Sequence, residues 1–388
     1  MSEKRYNNST AEVICILTII TTVLTQVPTI SSLFRPVMYV MWMLALAMGL
    51  IYNRGRIPAN SFLLIFGFAI LLLLLEYLLL MSTHKESYII QVVPLPLVCY
   101  LVGILYTKVI HERSILNCLK AFFVISFAMF SYIFVAYIGN FSTWLNANYY
   151  IYEQKNSAAQ IIGCVIIMSA FLLKTNSKWL NLGKNIAIVF LFLVIIAMQC
   201  RTALIALIVT AAVYYFAILR GRKRVTVTIL FIIALIIVIN SNNLSQYVIK
   251  SFVFNERQTR NLDYFTSGRL THFKNAWELF KEHPLFGTGH HRVDNLYLTI
   301  LSDVGLFGFV PIIILWISRI ARNIIAFRNE KTPFTACVLC LTVFYFFESL
   351  AEAYPPFGPG VCAFMFWIVC AFIDTKSYSS KTDSLAEE

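Results

Sequence analysis

Apolar residues occur in long uninterrupted runs along the chain, and short polar connections separate one run from the next. Most runs approach twenty residues, which is enough for a helix to cross about 30 Å of hydrocarbon. Because a segment surrounded by lipid must satisfy its own backbone hydrogen bonds, the runs predict helices. Twelve spans are predicted: 12–30, 36–52, 61–80, 88–107, 114–138, 156–173, 184–199, 202–219, 225–240, 296–318, 333–350 and 358–373.

The polar connections predict the orientation of the spans. Most basic residues lie at the termini and in alternate connections: Lys4, Arg5, Arg54, Arg56, Lys108, Arg113, Lys120, Lys174, Lys178, Lys184, Arg220, Arg222, Lys223, Arg224, Arg319, Arg322, Arg328, Lys331, Lys376 and Lys381. The short connections on the other side carry only Arg35, Lys85, Lys155 and Arg201. By the positive-inside rule, both termini are predicted to be cytoplasmic.

The composition fits one integral membrane domain over residues 1–388. Hydrophobic residues make up 59% and charged residues 13%, whereas a soluble domain has roughly 25% charged residues. The net charge of +12 arises in the short basic connections, so nucleic-acid binding is not predicted. The polar start followed by a long apolar run predicts no removable signal sequence.

One connection stands apart by its length. Residues 241–294, on the side opposite the termini, form a large extracytoplasmic loop between the ninth and tenth predicted spans, and loops of this length usually carry function. Four of its residues follow helical spacing: Phe273, Ala276, Trp277 and Phe280. They predict a short amphipathic helix on the membrane surface, with Ser267 as its cap. The alternative is a lid that packs on the other helices without a chemical role.

Arginines on the outer side are the main candidates for ligand binding. Arg201 lies between two apolar runs, so it needs an anionic partner or a wet cavity. It could pair with Glu348 or Glu352, or bind a phosphate with its forked guanidinium. Four more arginines in the long loop could converge on one diphosphate: Arg257, Arg260, Arg269 and Arg292.

Titratable residues follow the predicted amphipathic helix. His290 and His291 are adjacent and point apart, and a fourth ligand has no obvious source, so no metal site is predicted. Asp294 is predicted to act as a general base that takes the proton of a hydroxyl. Glu348 and Glu352 are four residues apart and share a helical face, where they either hold the arginines or bind substrate hydroxyls.

Two stretches resemble the O-antigen ligase/polymerase family. Residues 199–207, QCRTALIAL, are similar to the family's S-R-[ST]-A-L entry into a span. The second stretch reproduces the family's S-G-R, W, HPL-x-G-x-G, N-x-YL and G-x-x-G elements in order, as SGR at 267–269, Trp277, HPLFGTG at 283–289, NLYL at 295–298 and GLFG at 305–308. The resemblance is strong over roughly 199–310.

The resemblance implies an all-α membrane fold like that of C-type glycosyltransferases, and an inverting enzyme that needs no metal or cofactor. Such enzymes act on glycans carried by undecaprenyl diphosphate at the outer face of the inner membrane. Arg201 and Arg269 match family arginines thought to hold the donor diphosphate. The remaining polar residues of the site are expected to bind sugar: His290, His291, Asn295, Glu348 and Glu352.

One departure from the family pattern favours a polymerase. Family ligases, which transfer O-antigen to lipid A-core, carry His before the Asn, where this chain has Asp294. The predicted product is O-antigen or capsule, made from glycans on undecaprenyl diphosphate that serve as donor and acceptor. A chain-length regulator and a flippase are the expected partners in the bilayer.

Two alternatives from other classes remain. A twelve-helix secondary transporter predicts charges near the midplane and symmetry between two halves, whereas the charges here crowd the outer side. A non-catalytic scaffold predicts that charge-neutral substitutions of the arginines leave polysaccharide synthesis intact.

Overall fold

A computed structural model describes residues 9–27, 29–58, 60–80, 86–109, 112–137, 155–173, 177–198, 200–219, 268–358 and 364–375, with 221, 224–225, 228–229 and 240. Regular structure in these ranges is helical throughout. The helices are α1 (Ser9–Leu24), α2 (Ser31–Tyr52), α3 (Ser61–Leu79), α4 (Tyr88–Val92), α5 (Pro94–Val109), α6 (Glu112–Tyr137), α7 (Lys155–Leu172), α8 (Lys178–Ala197), α9 (Arg201–Val213), α10 (Arg269–Glu282), α11 (Leu296–Asn329), α12 (Pro333–Ser349) and α13 (Phe364–Thr375).

Seven helical segments in the described residues are long and apolar enough to cross a membrane: Ser31–Tyr52, Ser61–Leu79, Tyr88–Thr107, Ser114–Val135, Lys178–Ala197, Arg201–Ile218 and Leu296–Asn329. Four shorter apolar helices accompany them: Ser9–Leu24, Asn156–Leu172, Pro333–Ser349 and Phe364–Thr375. The described residues therefore form an all-helical, multi-pass membrane fold. The predicted span 225–240 lies largely outside the described residues, so the number twelve stays a prediction, as does the orientation.

Local sequence explains where several helices begin. The side chain of Asn60 accepts hydrogen bonds from the backbone N–H groups of Phe62 and Leu63, at 2.7 and 3.1 Å, and so caps α3. Thr332 and Thr335 form a capping box at the start of α12, with Pro333 in its first turn. Such caps satisfy N–H groups that have no partner within the helix.

The amphipathic helix of the long loop is present as α10. Ala276 is buried on its inner side and Trp277 is exposed, in agreement with the predicted pattern. The predicted cap, Ser267, lies outside the described residues, and the residue directly before the helix is Gly268, with φ of 80°. A glycine adopts this left-handed conformation without the steric cost that a Cβ atom brings.

The helix α11 is longer than the sequence predicts. The predicted span ends at residue 318 and leaves Arg319 in a cytoplasmic connection, whereas α11 continues to Asn329 and buries Arg319 completely. The guanidinium binds Asp374 of α13 through Nη1 and Nη2, at 2.7 and 3.0 Å. A charge paired in this way can stay inside a helical bundle, which is why the basic residue does not mark the end of the span.

The packing of the helices converges on α11 and α12. The helix α12 contacts α7, α9 and α11, and α11 also contacts α3 and α10. The helices α7 and α12 approach closely, since a Cβ atom on Gly163 would lie 2.3 Å from the Phe344 ring. As a result, the first residues of α7, α9, α10 and α11 meet the last residues of α12 at one end of the bundle.

Candidate functional site

Arg269, the first residue of α10, joins three other segments at this end of the bundle. Its Nη1 lies 3.4 Å from the hydroxyl of Thr202 in α9. Its Nη2 lies 3.3 Å from carboxylate oxygens of both Asp294 and Glu352. The Arg269 side chain is 24% exposed, that of Asp294 41% and that of Glu352 8%. These residues, together with Asn156, are called the Arg269 cluster. One arginine thus lies between two carboxylates at the surface of the bundle, in contacts longer than the 2.7–2.9 Å of tight charge-assisted bonds.

Arg201 lies beside this arginine. It is the first residue of α9 and precedes Thr202, whose hydroxyl contacts Arg269. The charges of Arg201 and Arg269 are near enough to repel each other. The amino end of a helix carries partial positive charge as well, so two arginines and a helix terminus make this end of the bundle attractive to an anion.

The segment before α11 is fixed by Asn295. Its side-chain oxygen accepts the N–H of Leu298 at 2.9 Å and caps α11, while its amide donates to the carbonyl of Leu350 at 2.8 Å. The second bond ties the start of α11 to the end of α12. A side chain that the family motif contains therefore helps to bring Asp294 and Glu352 to the same guanidinium nitrogen of Arg269.

A backbone clasp between residues 284–289 and 302–307 supports the same segment. The helix α11 breaks at Gly305, with φ of 58° and ψ of −159°. Four hydrogen bonds join the clasp: Leu306 N to Pro284 O at 2.9 Å, Phe307 N to Leu285 O at 2.9 Å, Thr288 N to Ser302 O at 2.8 Å and Gly289 N to Asp303 O at 2.8 Å. A Cβ atom on Gly287 or Gly305 would lie about 2.5 Å from the opposite backbone. The glycines of both motifs thus allow the loop to lie directly on the broken helix.

Two amide–carboxylate contacts run inward from the site between α7 and α12. The Asn156 amide donates to Glu352 Oε1 at 2.7 Å, and one helical turn below it Gln160 hydrogen-bonds Glu348. Both Gln160 and Glu348 are buried. Burial, and after it the charge of Asp294, raises the pKa of Glu352 from 4.5 to about 7, against the opposing effects of Arg269, Asn156 and Arg292.

Arg292 and the two histidines line the edge of the site. The Arg292 guanidinium lies 4.5 Å from the centre of the Tyr354 ring, in a cation–π contact. His291 Nδ1 lies 3.0 Å from the Ser302 hydroxyl, and His290 Nδ1 lies 2.8 Å from the Thr288 carbonyl. Burial, with the charges of neighbouring histidines, lowers the pKa of His291 below its usual value, so that the imidazole is neutral at pH 7.

The structure brings together most of the residues predicted for the site. Those near Arg269 are Arg201, Arg292, Asp294, Asn295 and Glu352, with Glu348 buried below. Glu352 pairs with Arg269, not with Arg201 as the sequence allowed. Arg257 and Arg260 lie outside the described residues. Within the described part of the chain, no group of three His, Cys, Asp or Glu side chains is arranged to hold a metal ion.

Two acidic or polar residues have contacts that the sequence did not predict. Asp303 accepts hydrogen bonds from Ser87 Oγ at 2.8 Å and from the N–H of Ile89 at 2.9 Å. It therefore anchors the start of α4. Asn156 was missed as a site residue, and its only sequence signal is a polar side chain at the entrance to an apolar run.

Comparison with known families gives one match. Residues 186–313, about a third of the chain, match the family described as O-antigen ligase. No curated protein matches the chain. The match covers Arg201, Arg269 and Asp294, and it confirms the resemblance to the O-antigen ligase/polymerase family that the motifs indicate. Asn156 and Glu352 lie outside the matched residues.

Proposed function

We propose that the protein is a glycosyltransferase that polymerises a surface polysaccharide, such as O-antigen or capsule, from repeat units linked to undecaprenyl diphosphate. The observation that carries the proposal is the Arg269 cluster, an arginine loosely bound by two carboxylates with a second arginine beside it. The family match supports the same class of membrane enzyme.

The donor diphosphate would bind Arg269 and Arg201. A diphosphate offers paired oxygens that match the guanidinium fork, and it can replace the 3.3 Å contacts to Asp294 and Glu352. The same arginines neutralise the charge that develops on the leaving diphosphate, and this stabilises the transition state. The donor enters laterally from the outer leaflet, because its carrier is a lipid.

Transfer then takes place in one displacement. The hydroxyl oxygen of the acceptor repeat unit bonds to the anomeric carbon of the donor, and the bond from that carbon to the diphosphate oxygen breaks. Undecaprenyl diphosphate leaves with the electron pair. The hydroxyl proton passes to a carboxylate of the cluster, and Asp294, the more exposed one, meets the acceptor. No metal or cofactor takes part.

A polymerase is favoured over a ligase because Asp294 occupies the position of the ligase histidine. The alternative, an O-antigen ligase that transfers the glycan to lipid A-core, is supported by the name of the matching family and by His291, a neutral imidazole three residues away. A secondary transporter is disfavoured because Arg201, Asp294 and Glu352 lie at helix ends, whereas transporter sites lie near the midplane.

Deletion of the gene tests the proposal. Loss of a polymerase leaves core lipid capped with one repeat unit, whereas loss of a ligase leaves core bare and lipid-linked polymer accumulating. Complementation with Arg201→Ala or Arg269→Ala is expected to give no long chains. Normal chain-length ladders from both variants would refute the assignment, and the bare-core profile would replace polymerase with ligase.

A further inference from the structure

We infer that Glu352 is the carboxylate that accepts the proton of the attacking hydroxyl, while Asp294 positions that hydroxyl. The inference rests on the proposed glycosyl transfer, and it assigns a role to a residue outside the matched family segment. It derives from a difference between the two carboxylates: each lies 3.3 Å from Arg269 Nη2, but Glu352 is 8% exposed and also held by Asn156, whereas Asp294 is 41% exposed.

Glu352 is held by one oxygen and open at the other. The Asn156 amide at 2.7 Å and Arg269 at 3.3 Å both bind Oε1. Among the described residues, Oε2 makes no hydrogen bond, so this oxygen is left for a substrate proton. A base needs such a fixed orientation, because proton transfer requires a heavy-atom separation of roughly 2.6–3.2 Å in the reacting complex.

Asp294 is bound less firmly. Its only contact with Arg269 is a 3.3 Å ion pair, and its side chain is the more exposed of the two. Burial disfavours the charged form of a carboxylate, so the secluded Glu352 holds a proton more readily. Asp294 is therefore suited to bind the incoming hydroxyl at the surface, and Glu352 to take its proton.

Binding of the donor diphosphate to Arg269 changes the proton affinity of Glu352. In the resting site, the Arg269 charge stabilises the ionised form of Glu352. A diphosphate that binds Arg269 neutralises this charge, so the proton affinity of Glu352 rises when the leaving group is in place. The proton moves from the hydroxyl to Oε2 as the new glycosidic bond forms and the diphosphate departs, and it returns to water before the next turnover.

The pH dependence of turnover distinguishes a proton-accepting role of Glu352 from a purely structural one. Charged or titratable groups face Glu352 from three other segments: Arg269 on α10, Arg292 and Asp294 before α11, and Glu348 on α12. With these in place its pKa is about 7. Because a proton acceptor must be ionised, kcat/KM is expected to rise as the pH increases and to level off above about 7.

The test uses the purified full-length protein in lipid nanodiscs with a polyprenyl-diphosphate-linked repeat unit. Glu352→Gln keeps the size and an acceptor oxygen of the side chain but cannot take a proton. Turnover is therefore expected to fall about 10²-fold or more with little change in KM. The decline of kcat/KM below about pH 7, called the acid limb, should disappear. Asp294→Asn is expected to retain the limb, displaced to lower pH because the charge of Asp294 raises the pKa of Glu352. Glu278→Gln, an exposed partner of Lys281 on α10, is the matched control.

Three results would overturn the inference: turnover of Glu352→Gln within about threefold of the control, an unchanged acid limb in that variant, or loss of the limb in Asp294→Asn alone. If the glutamine variant does not accumulate, Glu352→Asp replaces it, with a shifted limb expected and an unshifted limb decisive against the role. Absence of polymer from the unsubstituted protein would instead refute the proposed function.

Discussion

The described residues contain two arginine–carboxylate clusters, one at the start of α11 and one toward its end, and they differ in how completely the arginine is bound. Arg319 is fully buried, and Asp374 binds it through two short contacts. Arg269 is partly exposed and shared between two carboxylates at 3.3 Å. At 1.5 Å per residue, roughly 35 Å of helix, kinked at Gly305, separates Arg319 from the start of α11.

The buried cluster is densely hydrogen-bonded. Arg319 also donates to Asn323 at 2.6 Å, and Asp374 accepts the Tyr100 hydroxyl at 2.5 Å. Asn323 in turn donates to Thr342 of α12 at 2.8 Å. The network joins α5, α11, α12 and α13, and of the Arg319 guanidinium nitrogens only the buried Nε has no hydrogen-bond partner among the described residues. Such a cluster locks helices together, whereas the Arg269 cluster has contacts that an anion can replace.

Breaking the buried cluster is expected to have the largest effect on stability. Arg319→Met leaves Asp374 buried without its cation, which should cost about 3–5 kcal/mol. Unfolding by denaturant in detergent micelles measures the loss. The double variant Arg319→Met/Asp374→Leu removes both charges and is expected to recover most of it, and a double variant less stable than the single one would contradict a structural role.

Breaking the Arg269 cluster is expected to remove activity and leave the fold intact. Arg269→Gln withdraws a charge from the leaving diphosphate, so kcat should fall about 10²–10³-fold. Polymer formation by nanodisc-embedded protein measures this, with an unfolding scan alongside. Lys281→Gln removes the same charge from the same helix, where Lys281 pairs with the exposed Glu278 at 2.5 Å, and it should be as active as the unsubstituted protein. Equal activity of Arg269→Gln and Lys281→Gln would contradict a role of the Arg269 cluster in turnover.

Gly305→Ala is expected to have a smaller effect, through the clasp that supports Asp294 and Asn295. The new methyl group would lie 2.4 Å from the Leu285 carbonyl carbon at a φ of 58°, a strain of about 1–3 kcal/mol. Both stability and turnover should fall. The control is Gly67→Ala in α3, where no atom lies within 4 Å of the new methyl group. A Gly305 variant as stable as this control would mean that the clasp is dispensable.

Sequence patterns predict the helices and part of the Arg269 cluster for physical reasons. Membrane spans are continuous apolar runs, which the sequence shows directly. The motif residues of the Arg269 cluster lie in one stretch of chain, where Arg269 and Asp294 are 25 residues apart. The partners that come from distant helices could not be predicted. Asn156 and Glu352 meet Arg269 only because α7, α10 and α12 pack together.

The buried cluster around Arg319 could not be predicted from the sequence for a related reason. A basic residue after an apolar run usually marks the cytoplasmic end of a span, and Arg319 was assigned to a connection on that ground. Its partner, Asp374, lies 55 residues further along, and no local pattern relates the two. The one available signal was a carboxylate directly after the last apolar run.

Binding of undecaprenyl diphosphate to the purified protein tests the central claim most directly, because it needs no knowledge of the sugars. The Kd, measured by tryptophan fluorescence in nanodiscs, is expected to rise at least about tenfold in Arg269→Gln, as the loss of about 1.4 kcal/mol or more from a charge-assisted contact requires. It should not change in Lys281→Gln, and it should fall in Asp294→Asn, which removes an anion that competes for Arg269. Equal affinity of Arg269→Gln and the unsubstituted protein would contradict the account.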